Sequence, residues 1–124
     1  MTQANIVVST LPSTNKTQGL FDQASFTNAK NILFFNVGRG CSVDQAALLE
    51  ALHKGNVDHA FLDVFVQEPL TDTHPYWSHP NITVTPHIAA LSVPGQVVDV
   101  FARYYRDWEQ GYTLQQRIDF TKGY

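Results

Sequence analysis

Apolar residues along this chain fall into short continuous runs separated by polar stretches that hold glycine or proline. Four runs, 6–10 (IVVST), 32–36 (ILFFN), 60–64 (AFLDV) and 82–85 (ITVT), are rich in branched and aromatic residues. Runs of this length and composition predict strands covered on both faces, as in a parallel sheet. Between the second and third, residues 43–58 (VDQAALLEALHKGNVD) place Ala46, Leu49, Ala51 and Leu52 along a helical stripe, with Gly55 as a left-handed stop. Residues 19–29, with Leu20, Phe21, Ala24 and Phe26, predict a shorter crossover helix between the first two strands. After the fourth strand, residues 93–110 carry Val97, Val98, Phe101, Tyr104, Tyr105 and Trp108 at helical spacing. That pattern predicts a long amphipathic helix whose aromatic face is a packing surface. The tail from 111 to 124 has no periodicity, and no internal repeat is visible.

The fold class predicted is α/β: a parallel sheet of about four strands with crossover helices and a long C-terminal helix. Right-handed crossovers place the loops that follow all four strands along one edge of the sheet, where ligands of open parallel sheets bind.

Composition narrows the function. At 124 residues, with 44% hydrophobic and 15% charged residues, the chain can bury one real core. The net charge is -3 and the eight basic residues are scattered, so no basic stripe for nucleic acid forms. No apolar run approaches the ~20 residues of a membrane helix, and no basic-then-apolar leader opens the sequence. The single cysteine, Cys41, cannot form an internal disulfide, in keeping with a reducing cytoplasm, and it reads as a packed thiol. His53, His59, His74 and His79 lack the spacing of metal ligands and read as surface residues, so no metal is expected.

The loops after the strands hold the chemistry. NVGRGCSVD, residues 36–44, sets Arg39 between two glycines; Asp63 and Glu68 follow in and after the third run; His87 follows a proline after the fourth. Singly, each has an ordinary reading: a turn cation, a carboxylate with a structural partner, a solvated glutamate, a packed histidine. Jointly, at successive strand ends, they are the equipment for acid-base work on an oxygen next to a carboxylate. A histidine beside a carboxylate stays protonated more readily, and an arginine fork grips an anion.

The ordered stretches VVSTLPSTNKTQGLF, NILFFNVGRGCSVDQAALLEAL, AFLDVFVQEPL, HPYWSHPNITVTPHIAA and IDFTKGY closely resemble the D-isomer-specific 2-hydroxyacid dehydrogenases, in particular their glyoxylate/hydroxypyruvate reductase branch. The resemblance implies the C-terminal half of a Rossmann-like NAD(P)-binding domain over residues 1–91, followed by a terminal helix and tail over 92–124. It implies that Arg39 binds the carboxylate and carbonyl of a 2-oxo acid, that His87 protonates the carbonyl oxygen, and that Glu68 orients the imidazole and keeps it protonated. Asp63 is similar to an aspartate that accepts from the nicotinamide amide. Thr10, Leu11 and Pro12 resemble the wall beside the adenosine, and Val37, Gly38 and Ala89 resemble backbone contacts to NAD or NADP.

The separate substrate domain of such enzymes and their Gly-x-Gly-x-x-Gly unit have no counterpart in these 124 residues. The chain is therefore expected to be the C-terminal part of a longer enzyme and inactive alone. The alternative is an inactive remnant or binding module of the same family. A homo-oligomer is expected through the exposed edge of the first strand or the C-terminal helix.

Overall fold

The structure is a computed structural model describing residues 3–114 and 117–123. It divides into two units, Met1–Ala89 and Ala90–Tyr124. In the first unit, β1 (Ile6–Ser9), β2 (Ile32–Asn36), β3 (Val57–Leu62) and β4 (Ile82–Val84) form a sheet in the order β1-β2-β3-β4. All three neighbouring pairs are parallel. Their register brings Ser9, Asn36, Leu62 and Val84 into one row. The residues that follow, Thr10, Val37, Asp63 and Thr85, therefore leave the sheet side by side.

Helices α1 (Gln23–Thr27) and α2 (Gln45–His53) start at aspartate caps. Asp22 accepts from Ser25 N at 2.8 Å and Asp44 from Ala47 N at 3.0 Å, each satisfying a first-turn amide with no partner inside the helix. Asp44 fixes the start of α2, and the face that packs into the core is Ala47, Leu48, Ala51 and Leu52. The stripe expected from spacing alone is corrected at two positions, because Ala46 is exposed and Leu49 only half-buried. Gly55, at φ +74°, ends the helix as expected.

The core lies between these helices and one face of the sheet. Phe26, Ile32, Phe34, Leu48, Val57 and Leu62 form its centre, with Phe26 and Phe34 edge to face at 5.3 Å. On the other face Phe35 stacks on Phe61 at 4.3 Å. There Ile6 and Val8 of the edge strand β1 remain 58% and 57% exposed, so the expectation of cover on both faces fails for β1.

The third strand is also corrected. It begins at Val57 rather than at residue 60 and ends at Leu62, which leaves Asp63 just beyond the strand instead of within it. The polar pair Asp58 and His59 hid its first half from a reading of apolar runs. The second unit contains α3 (Pro94–Glu109), with proline in its first turn and Gly111 at φ +78° beyond its end. Along it Phe101 and Tyr105 stack at 6.2 Å, and Tyr105 and Trp108 meet at 5.9 Å. Among the described residues no helix is long and apolar enough to cross a membrane.

Candidate active site at the carboxyl ends of the strands

The loop after β2 is folded by Asn36, whose side chain is buried at the strand's last position. Its Nδ2 donates to Arg39 O at 3.1 Å and its Oδ1 accepts from Gly38 N at 3.2 Å. Ser42 Oγ donates to the same Arg39 carbonyl at 2.8 Å. The glycines that flank Arg39 serve close backbone approach. A Cβ on Gly38 would lie 2.6 Å from Leu11 N, and one on Gly40 would lie 2.0 Å from the carbonyl carbon of Phe65. The arginine loop is thus wedged between the Thr10–Leu11 backbone and the segment after β3. Arg39 itself is exposed, and its guanidinium donates to Gly38 O at 2.7 Å.

Asp63 is 2% exposed and holds the loop after β4. Its Oδ1 accepts from Thr85 Oγ1 and from Ile88 N, the latter at 2.9 Å, while its Oδ2 accepts from Ala89 N at 2.9 Å. Its backbone carbonyl accepts from His87 N at 2.9 Å. Burial opposes its ionisation. The hydrogen bonds from Thr85, Ile88 and Ala89, with the charge of His87, outweigh that cost and hold the carboxyl below its ordinary range. His87, inside this loop, has left-handed backbone at φ 54°.

Glu68 joins the two loops. Its Oε1 accepts from Phe65 N at 2.8 Å, the residue against which Gly40 lies, and its Oε2 meets His87 Nδ1 at 2.8 Å. Because the carboxylate is the acceptor, Nδ1 carries a proton and Nε2 is left for another partner. The bond from His87 and that from Phe65 N lower the Glu68 pKa; burial opposes them, and the charges of His87 and Arg39 add to the lowering. Beside the pair lies a cavity of about 230 Å³ lined by Phe65, Pro69, Leu70 and Trp77 along with Glu68 and His87.

Arg39, Glu68 and His87 therefore share one sheet edge. Thr10, Leu11 and Pro12 follow β1 there, with Val37 and Gly38 beside them, and Ala89 is tied to it through Asp63. A reading of strand ends passed over Asn36, Ser42 and Thr85, which shape the two loops. For Asn36 the signal was present, an amide ending an apolar run. Three of the remaining histidines serve locally: His59 Nε2 pairs with Thr83 Oγ1 at 2.9 Å, His74 Nδ1 accepts from Tyr76 N at 3.3 Å, and His79 Nδ1 accepts from Asn81 N at 3.2 Å. Half-buried Cys41 contacts Ser13 Oγ at 3.2 Å. Among the described residues no group of three or more ligating side chains could hold a metal.

The family described as "D-isomer specific 2-hydroxyacid dehydrogenase, NAD binding domain" matches residues 1–89. The chain belongs to this family. Among curated dehydrogenases of this kind, it is 38% identical over 122 residues to glyoxylate/hydroxypyruvate reductase A of Photorhabdus laumondii, covering 98% of this chain and 39% of that protein. The enzyme of the same name from Serratia proteamaculans is 38% identical over 120 residues, covering 96% of this chain and 38% of that protein. A D-isomer specific 2-hydroxyacid dehydrogenase of Xanthobacter autotrophicus, solved with NADPH, superposes with a TM-score of 0.91 at 37% identity, over 98% of this chain and 50% of that one. The NADPH-dependent glyoxylate/hydroxypyruvate reductase of Sinorhizobium meliloti, solved with NADP and sulfate, gives 0.85 at 35% identity, over 99% and 41%. The chain thus spans about two fifths of the length of the curated dehydrogenases it matches. The α/β fold and the family expected from the motifs are both found.

The residues present fit a nicotinamide dinucleotide. Among the described residues Asp63 Oδ2 accepts a single hydrogen bond, leaving a lone pair for one amide N–H. Thr10 and Val37 are exposed beside the Gly38–Leu11 contact, where a flat ligand can lie on backbone.

Proposed function

We propose that this site reduces a small 2-oxo acid, such as glyoxylate or hydroxypyruvate, to the 2-hydroxy acid, using NADPH or NADH. The observation that carries the reading is the 2.8 Å His87–Glu68 pair, on the sheet edge that also bears Arg39. Arg39 exchanges its bond to Gly38 O for a bidentate grip on the substrate carboxylate, which fixes the carbonyl near the imidazole. Glu68 holds Nδ1, so that the opposite nitrogen, Nε2, faces the carbonyl oxygen and gives it a proton. The bound dinucleotide supplies the hydride that reduces the carbonyl carbon. Thr10, Leu11, Pro12, Val37 and Gly38 would line it, and Asp63, His87 and Ala89 would face its nicotinamide end.

Residues 1–91 then form the C-terminal part of the dinucleotide domain and 92–124 its terminal helix and tail. The protein acts in the cytoplasm. The 124-residue chain by itself associates with a second copy through β1, which among the described residues pairs on one side only, with β2. The test of the activity is oxidation of NADPH and NADH on addition of glyoxylate or hydroxypyruvate, with protein expressed from its complete reading frame. No oxidation dependent on either acid would sink the reading.

A further inference from the structure

Left-handed backbone at a residue with a Cβ costs free energy and persists only where its surroundings over-determine it. His87 is such a residue, at φ 54°. Its neighbours supply the determination. Thr85 Oγ1, Ile88 N and Ala89 N all donate to the Asp63 carboxylate, two to Oδ1 and one to Oδ2, and His87 N donates to the Asp63 carbonyl. One residue just past β3 thus takes four donors from the five-residue turn 85–89. The side chain held at the centre of that turn is the one that reaches Glu68.

We propose that Asp63 is a positioning residue for His87: its carboxylate clamps the turn after β4 in the left-handed form that directs the imidazole onto Glu68. The proposal rests on the reading of His87 as proton donor, and it adds a role for Asp63 distinct from contact with a cofactor. Asparagine cannot replace the carboxylate. Its amide turns an N–H toward donors that need an acceptor, so at least one of the three side-chain bonds is lost. With that bond lost, the backbone bond from His87 N to the Asp63 carbonyl holds the left-handed residue with fewer partners, and the turn relaxes.

The test uses the 124-residue chain in solution and needs no turnover. Nuclear magnetic resonance reads the exchange of the Ile88 and Ala89 amides and, through the ring's carbon-bound protons, the ¹⁵N shifts that mark the Nδ1–H bond from His87 to Glu68. In Asp63→Asn the two amides should exchange roughly ten- to hundredfold faster, and the Nδ1–H signature should be lost. In Glu68→Gln the signature should change while both amides stay protected. A merely structural aspartate would speed exchange and leave the imidazole signature of the parent, which would overturn the proposal. Should Asp63→Asn fail to fold, Thr85→Val removes one donor alone. It should weaken the signature in the same direction, and an unaltered signature there overturns the proposal as well. Absence of glyoxylate reduction by the complete protein, with these signals as expected, would sink the activity and leave the clamp standing.

Discussion

Gly40 meets the backbone of Phe65 so closely that a Cβ on it would lie 2.0 Å from the Phe65 carbonyl carbon. This contact joins the loop that carries Arg39 to the residue whose amide holds Glu68. Replacing Gly40 by alanine must push two backbones apart, since no flexible side chain is there to yield. A loss of ~2 kcal/mol or more is expected. Gly95, in α3, has nothing within 4 Å of its Cβ position, so Gly95→Ala should be neutral or stabilising by less than about 1 kcal/mol. Urea unfolding of both variants checks this, and equal stabilities would contradict the close contact.

Arg39→Ala and His87→Ala should each remove most reduction of glyoxylate or hydroxypyruvate by the complete protein. Losing the proton donor should cost roughly 10²–10⁴-fold in kcat. Losing the clamp should fall on kcat/KM, and lysine should rescue it poorly because an ammonium cannot form the planar fork. Near-parental kcat/KM in either alanine variant would refute the assigned roles.

Acid should weaken the fold through Glu68 and Asp63. Both carboxyls lie below their ordinary pKa when folded, Glu68 through its bonds from His87 and Phe65 N, and Asp63 because its hydrogen bonds outweigh the cost of burial. A group whose pKa is depressed by folding contributes stability that is complete above its unfolded value, about 4 for a carboxylate, and is lost as pH falls through its folded value. The contribution of these two carboxyls should therefore be constant from neutrality to about pH 5, and unfolding midpoints should fall below about pH 4. In Glu68→Gln part of that acid dependence should vanish. An identical acid limb in the variant would show that the Glu68 bonds contribute nothing.

Self-association through β1 predicts a species heavier than the 13.9 kDa chain in sedimentation at micromolar concentration. Val8→Lys, at an exposed position of the edge strand, should shift it toward monomer, because a lysine on an edge opposes pairing. A parent that sediments only as a monomer would remove β1 as a contact.

The order of elements was legible in the residues themselves. Four apolar runs, the helical pattern between the second and third, and Gly55 mark a parallel α/β sheet, because strand-length apolar runs and helix termination are local features of the chain. The ordered motifs around Arg39, Glu68 and His87 identified the family for the same reason: spacing along the chain records which residues stand at strand ends. The limits of β3 were not legible, since Asp58 and His59 are polar positions in a strand held by pairing on both sides. The partners of the site lay further out of reach. That Gly40 is small for Phe65, that Asp63 takes donors from Thr85, Ile88 and Ala89, and that His87 is left-handed to meet Glu68 all depend on residues roughly 20 or more positions apart. Only the parallel register brings those residues together, because it sets the ends of β2, β3 and β4 in one row.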